Sequence, residues 1–144
     1  MKRFTKGFSL LELLVVVSII GILVSIGVVA FTTAQQQGRD SRRRADLKAM
    51  QDAFEQYKGA VGTYDTCATM ANYDTGSGTL MPGGLPNDPR NSGDFVYNTS
   101  TACSEESYCV CALLENGTGN AEEPTGSSCN YSPGGEYHCL TNLQ

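Results

Sequence analysis

Tryptophan is absent from these 144 residues, and a single histidine, His138, is the whole imidazole complement. Sixteen glycines outnumber every aromatic type. A chain this short and this poor in large rings is one domain's worth, and it suits a small, loop-rich head better than a large enzyme core. Also missing are the signatures of common catalytic sites: no G-x-S-x-G, phosphate-binding loop or H-E-x-x-H occurs. His138, beside Cys139 in a stretch of strand character, reads as structural. No enzyme is expected, and no catalytic residue, cofactor or resident metal is assigned. No internal repeat is visible. The most informative scarcity is of positive charge. From Gly59 onward Arg90 is the only basic residue, against ten carboxylates, giving this part a net charge of −9 in a chain whose total is −5. Such a surface repels phosphate backbones, so direct nucleic-acid binding by this part is not expected.

Cysteine is lacking before residue 67, and six then follow: Cys67, Cys103, Cys109, Cys111, Cys129 and Cys139. An even number confined to one small region points to disulfides and an oxidising compartment. Six thiols allow about 15 pairings, so spacing alone leaves the connectivity open. Cys109 and Cys111 stand two apart, so a strand would point both to one face and each would bond elsewhere. Zinc is the rival reading, because Cys-x-Cys can open a metal site, but no second close pair of finger spacing completes it.

What is abundant is apolar length at the start. Met1 to Gly7 reads MKRFTKG, short and basic. Phe8 to Phe31 reads FSLLELLVVVSIIGILVSIGVVAF, with Glu12 its only charge. As a helix this stretch reaches roughly 36 Å, enough for a hydrocarbon core of about 30 Å. An ordinary secretory signal peptide would use Lys2, Arg3 and Lys6 as its basic region and Val28-Val29-Ala30 as its cleavage site. The apolar run exceeds the usual length for that and carries a carboxylate. A simple signal anchor fits the length but leaves Glu12 without purpose, although an acid inside a span costs about 2.5–3.5 kcal/mol. Orientation is not settled by charge, since Arg39, Arg42, Arg43 and Arg44 follow the span closely.

The run Lys6-Gly7-Phe8-Ser9-Leu10-Leu11-Glu12-Leu13-Leu14 resembles the processing motif of type IV prepilins and of the related type II secretion pseudopilins. The resemblance covers residues 1 to about 35. It implies cleavage between Gly7 and Phe8, N-methylation of Phe8, and a pairing of Glu12 with the N-terminal amine of a neighbouring subunit. Gly7 keeps the scissile backbone slim and open. Glu12 would then set the axial register, because an unpaired charge in an apolar filament core costs several kcal/mol. The helix proline that family members often carry is absent, and Gly21 and Gly27 stand in the stretch instead. With Ser18 and Ser25 they either permit close helix approach or simply tolerate lipid.

Beyond the span, Leu47, Met50, Phe54, Tyr57 and Val61 recur at helical spacing and form one stripe. The stripe fits packing on the chain's own sheet better than a coiled-coil seam. Arg42/Asp46 and Lys48/Asp52 supply i,i+4 pairs on the solvated side, and Gly59 and Gly62 end the helix. The Arg39–Arg44 cluster would grip lipid phosphates, meet acidic heads of neighbours, or simply be solvated. Residues 59–88 read as loop with one short element. Strands are expected at Asp94–Asn98, Ser107–Leu114 and Glu136–Leu140, with turns at Asn116-Gly117 and Pro133-Gly134-Gly135. Asp88 and Asp94 are conceivable calcium ligands, without regular ligand spacing. The sequons at Asn98, Asn116 and Asn130 serve only as surface-loop markers. By resemblance to the C-terminal loop clasp of many pilins, Cys129–Cys139 is the expected pair.

The expected fold is α+β: a long N-terminal helix, membrane-spanning in its first half, packed on a small antiparallel sheet and stapled by disulfides. Its parts are a cleaved leader (1–7), a transmembrane and filament-core helix (8–31), an amphipathic continuation (32–59) and a globular head (60–144). The expected function is that of a filament subunit. A type II secretion pseudopilin or minor pilin is the alternative within the class, and a membrane-anchored secreted enzyme or binding module the alternative outside it. The resemblance implies as partners further copies of the chain, a prepilin peptidase, an assembly machinery and the membrane. It implies a precursor in the inner or cytoplasmic membrane, then a surface or periplasmic filament with an extracytoplasmic head.

Overall fold

The computed structural model describes residues 7–143. The basic leader residues Lys2, Arg3 and Lys6 lie outside the described residues. The chain divides into two compact units, one ending at Gln35 and one beginning at Gln36.

The first element, α1, is a single α-helix over Leu10–Val61. Its start is written in Ser9-Leu10-Leu11-Glu12. The Ser9 hydroxyl accepts the Leu11 N–H at 3.4 Å, and the Glu12 carboxylate reaches back to the Ser9 N–H at 2.9 Å. This reciprocal pattern is a capping box, which satisfies amides that have no partner inside the helix. Through Gly21 and Gly27 the helix is unbroken. Its end is set by Gly62 rather than Gly59, which stays helical. Gly62 adopts φ +98° and donates its N–H to the Lys58 carbonyl at 2.8 Å. That left-handed turn is open to glycine without a Cβ penalty.

In the second unit, α1 buries Asp40, Arg43, Leu47, Met50, Phe54 and Tyr57. The spacing is the expected one, and Leu47, Met50, Phe54 and Tyr57 are buried as expected, but the stripe begins two turns earlier and stops short of Val61. Val61 is 48% exposed, and Asp40 with Arg43 extends the buried face in the other direction. A short helix, α2 (Cys67–Ala71), is capped by the Thr66 hydroxyl, which accepts the Thr69 N–H. Two strands, β1 (Cys109–Leu113) and β2 (Tyr137–Thr141), pair antiparallel with Cys111 opposite Cys139. Leu47, Met50 and Phe54 share one core with Tyr108, Val110 and Ala112, against which Leu140 packs. The Phe54 and Tyr108 rings meet edge-on at 5.2 Å. Packing of the helix on the chain's own small sheet is therefore as expected.

The third expected strand, Asp94–Asn98, does not form among the described residues. Only an isolated bridge, Ser92 to Phe95, occurs there. The edge of β1 is met instead by a side chain. Asn98 donates its amide to the Cys109 carbonyl (3.1 Å) and accepts the Cys111 N–H (2.7 Å), so its amide does what a third strand's backbone would do.

Candidate functional site

The N-terminal segment presents its residues openly. Phe8 is 86% exposed, and a methyl group built on Gly7 would meet nothing within 4 Å. Glu12 is exposed on the first turn of α1, its carboxylate engaged with the Ser9 N–H. From there to Phe31 every large apolar side chain is exposed, from 47% at Val15 and Val16 upward. The polar groups in this stretch are satisfied within the helix. Ser18 and Ser25 donate to the Leu14 and Ile22 carbonyls at 2.7 Å, and Thr32 donates to Val29 at 2.9 Å. A continuous apolar face of this extent, with its hydroxyls returned to the backbone, is built for lipid or for other helices rather than for water. This helix is long and apolar enough to cross a membrane.

The second feature is a charge cluster in the head unit. Arg43 is fully buried, and its guanidinium forks onto Asp88 at 2.6 and 3.0 Å. Its remaining terminal nitrogen donates to Asp40 (2.7 Å) and Glu115 (3.0 Å). Glu115 is held from its other side by Arg39, with two bonds of 2.6 Å. Asp40 in turn accepts the N–H groups of Glu115 and Asn116 at 3.0 and 3.3 Å. Desolvation opposes the charge on Arg43, yet hydrogen bonds to three carboxylates raise its pKa. The Arg39 and Arg43 guanidiniums hold the Glu115 carboxyl down at about 2. Asp88 is also lowered, because its bonds to Arg43 and to the Arg90 and Asn91 N–H groups outweigh its burial. The cluster ties the loops at Asp88 and Glu115 to one face of α1.

This geometry revises several expectations. Arg39 and Arg43 are both engaged by the chain's own carboxylates, Arg43 from a fully buried position. Arg42 makes its pair with Asp46 at 3.9 Å, and Arg44 donates to the Thr118 carbonyl. Asp88 is committed to Arg43, which removes it as a calcium ligand. Asn98 is half-buried and structural, whereas Asn116 and Asn130 are exposed in loops as surface-loop markers should be, Asn116 also donating its amide to Asp40 at 3.4 Å. Sequence reasoning passed over Arg43 because a charge in a run of arginines reads as solvated. The available signal was its position three and four residues from Asp40 and Leu47, in line with the apolar stripe.

The six cysteines form Cys67–Cys103, Cys109–Cys129 and Cys111–Cys139. Cys109 and Cys111 share a face and bond elsewhere, as their spacing implies. The expected Cys129–Cys139 pair is not formed. Strand pairing sets Cys139 directly against Cys111, and the loop carrying Cys129 closes on Cys109 instead.

Residues 2–28 match the family described as the prokaryotic N-terminal methylation motif. The chain is also 38% identical over 52 residues to the type IV major pilin protein PilA of Myxococcus xanthus (strain DK1622). That match covers 36% of this chain and 24% of that protein, so it spans about a quarter of the relative's length. No solved structure matches. The motif and the relative together support a type IV pilin or prepilin family for this chain.

Proposed function

We propose that this chain is a structural subunit of a type IV pilus-like filament, inserted in a membrane as a prepilin, cleaved between Gly7 and Phe8, and polymerised through α1. The observation that carries this reading is the apolar surface from Phe8 to Phe31, exposed throughout, with Glu12 its only charge. Lipid covers such a surface before assembly, and the same helix of other copies covers it afterwards. Cleavage turns the Phe8 nitrogen into a cation, which N-methylation preserves. Glu12 uses one acceptor on the Ser9 N–H, and a carboxylate has about four lone-pair sites. It therefore has capacity left for the amine of a neighbouring copy. The subunit is read as structural, not enzymatic, with the head outside the cytoplasm, where its disulfides persist.

The test is the pair Glu12→Ala and Glu12→Gln. Removing a charge from the span makes insertion easier, and the core residues of the head lie far along the chain from it. What is lost is the partner of the neighbouring amine. Leaving one member of a buried pair alone typically costs about 3–5 kcal/mol, enough to disfavour each addition step. Cell-associated subunit levels are expected to match wild type, with the sheared filament fraction nearly empty for both variants. Normal filament yield from Glu12→Ala would overturn the pairing and favour a simple membrane anchor.

A further inference from the structure

We propose that Cys109, Cys111, Cys129 and Cys139 act as one thiol–disulfide exchange unit, which an external thiolate enters at Cys129. The four sulfurs lie within 4.8 Å of one another. Sγ of Cys109 and Sγ of Cys111 belong to different disulfides, yet stand 3.4 Å apart. The strand geometry explains the convergence. Cys109 and Cys111 share one face of β1, Cys139 is in register with Cys111, and Cys129 reaches in beside Cys109. Cys109, Cys111 and Cys139 are at most 1% exposed, whereas Cys129 is only half-buried. Among these four, an incoming thiolate therefore has one sulfur to attack. Cys67–Cys103 belongs to the other core and takes no part.

The chemistry closes without any net oxidant or reductant. An external thiolate attacks Cys129 Sγ, forming a mixed disulfide and expelling the Cys109 thiolate. That thiolate attacks Cys111 Sγ, 3.4 Å away, and the Cys111–Cys139 bond breaks to release the Cys139 thiolate. Cys139 then attacks the mixed disulfide at Cys129 and regenerates the external thiolate. Two disulfides have become Cys109–Cys111 and Cys129–Cys139, with the external thiol acting as catalyst. β2 is then released from β1 and clasped to the loop before it. The ligand class is a small thiol or the thiol of a disulfide-exchanging protein. The supply of external thiolate thereby sets how fast the C-terminal strand of the head is re-paired.

The experiment incubates the full oxidised chain in detergent with reduced glutathione, quenches with acid and blocks free thiols. Cleavage after glutamate, without reduction, then separates a segment holding Cys109 and Cys111 from one holding Cys129 and one holding Cys139. Before exchange the three segments remain joined. After exchange the first is released with an internal disulfide, and the other two stay joined to each other. The release is expected to be several-fold slower at about pH 7 than at about pH 8, following the thiolate fraction. A glutathione-capped Cys129 segment that comes away while the Cys109 and Cys111 segment stays joined to the Cys139 segment, or three segments still joined and free of glutathione, overturns the proposal, as does exchange that draws in Cys67 or Cys103. Cys129→Ser gives a second reading, because it leaves the Cys109 thiol beside Cys111 with no external thiol needed. Alkylation is then expected at both Cys109 and Cys139, and alkylation at Cys109 alone contradicts the mechanism.

Discussion

Arg43 is held by three carboxylates, and its side chain has no contact with water. Its worth lies in what its removal exposes. Arg43→Met keeps the volume but leaves Asp88 and Asp40 buried without their cation, and breaking one side of such a pair typically costs about 3–5 kcal/mol. Urea unfolding of the detergent-solubilised chain is expected to show a loss of that size, whereas Arg42→Met, at an exposed pair, should lose less than about 1 kcal/mol. Equal effects at the two positions would contradict the burial argument. Asn98 gives a second contrast. Asn98→Ala removes both the donor to Cys109 and the acceptor of the Cys111 N–H, and each unsatisfied buried group costs about 1–3 kcal/mol. Asn98→Asp keeps only the acceptor, so both variants are expected to lose stability, with Asn98→Ser no better than either. At this scale a motif is legible where it is contiguous: Gly7, Phe8 and Glu12 stand within the stretch that matches the methylation motif. Asn98 was illegible because nothing in Asn-Thr-Ser says that its amide will face β1, across a loop of intervening residues.

Among the elements, α1 was the most legible, since periodicity and two punctuating glycines are written in consecutive residues. Its buried face was read correctly from Leu47 to Tyr57, but its start was missed because the apolar stripe passes into Asp40 and Arg43, which apolar periodicity does not count. The strand expected at Asp94–Asn98 failed for a different reason: alternation is a necessary pattern for a strand, but pairing needs a partner edge, and the Asn98 side chain already fills it. The two loops held by α1 make the head acid-sensitive in a stated direction. Glu115, lowered from the usual 4.5 to about 2, and Asp88, also lowered, remain ionised in the folded head at pH values where the unfolded chain binds protons. The stability they supply is present above about pH 4.5 and is lost as pH falls toward about 2. The urea midpoint is expected to fall through that window, and Glu115→Gln is expected to flatten the fall while lowering the midpoint at neutral pH. A midpoint that stays constant from pH 5 to pH 3, or rises, would remove the cluster from the account of stability.

For the whole molecule, the composition of the chain changes at its own division of labour. The first unit spends its residues on an apolar helical surface with a single carboxylate, and the second on an acidic, disulfide-stapled head. That asymmetry was legible at once, because membrane spans and cysteine frameworks are compositional. The connectivity of the disulfides was not, because it is decided by strand register and loop closure, which bring Cys111 to Cys139 and leave Cys129 for Cys109. The central claim is that this two-part chain is processed at Gly7 and enters a filament. Intact-mass measurement of protein sheared from the cell surface tests it most directly. The account predicts a chain beginning at Phe8, heavier by one methyl group of about 14 Da and lighter by the hydrogens lost in three disulfides. A chain that begins after Ala30, or one that is absent from the sheared fraction while abundant in the membrane, would contradict it.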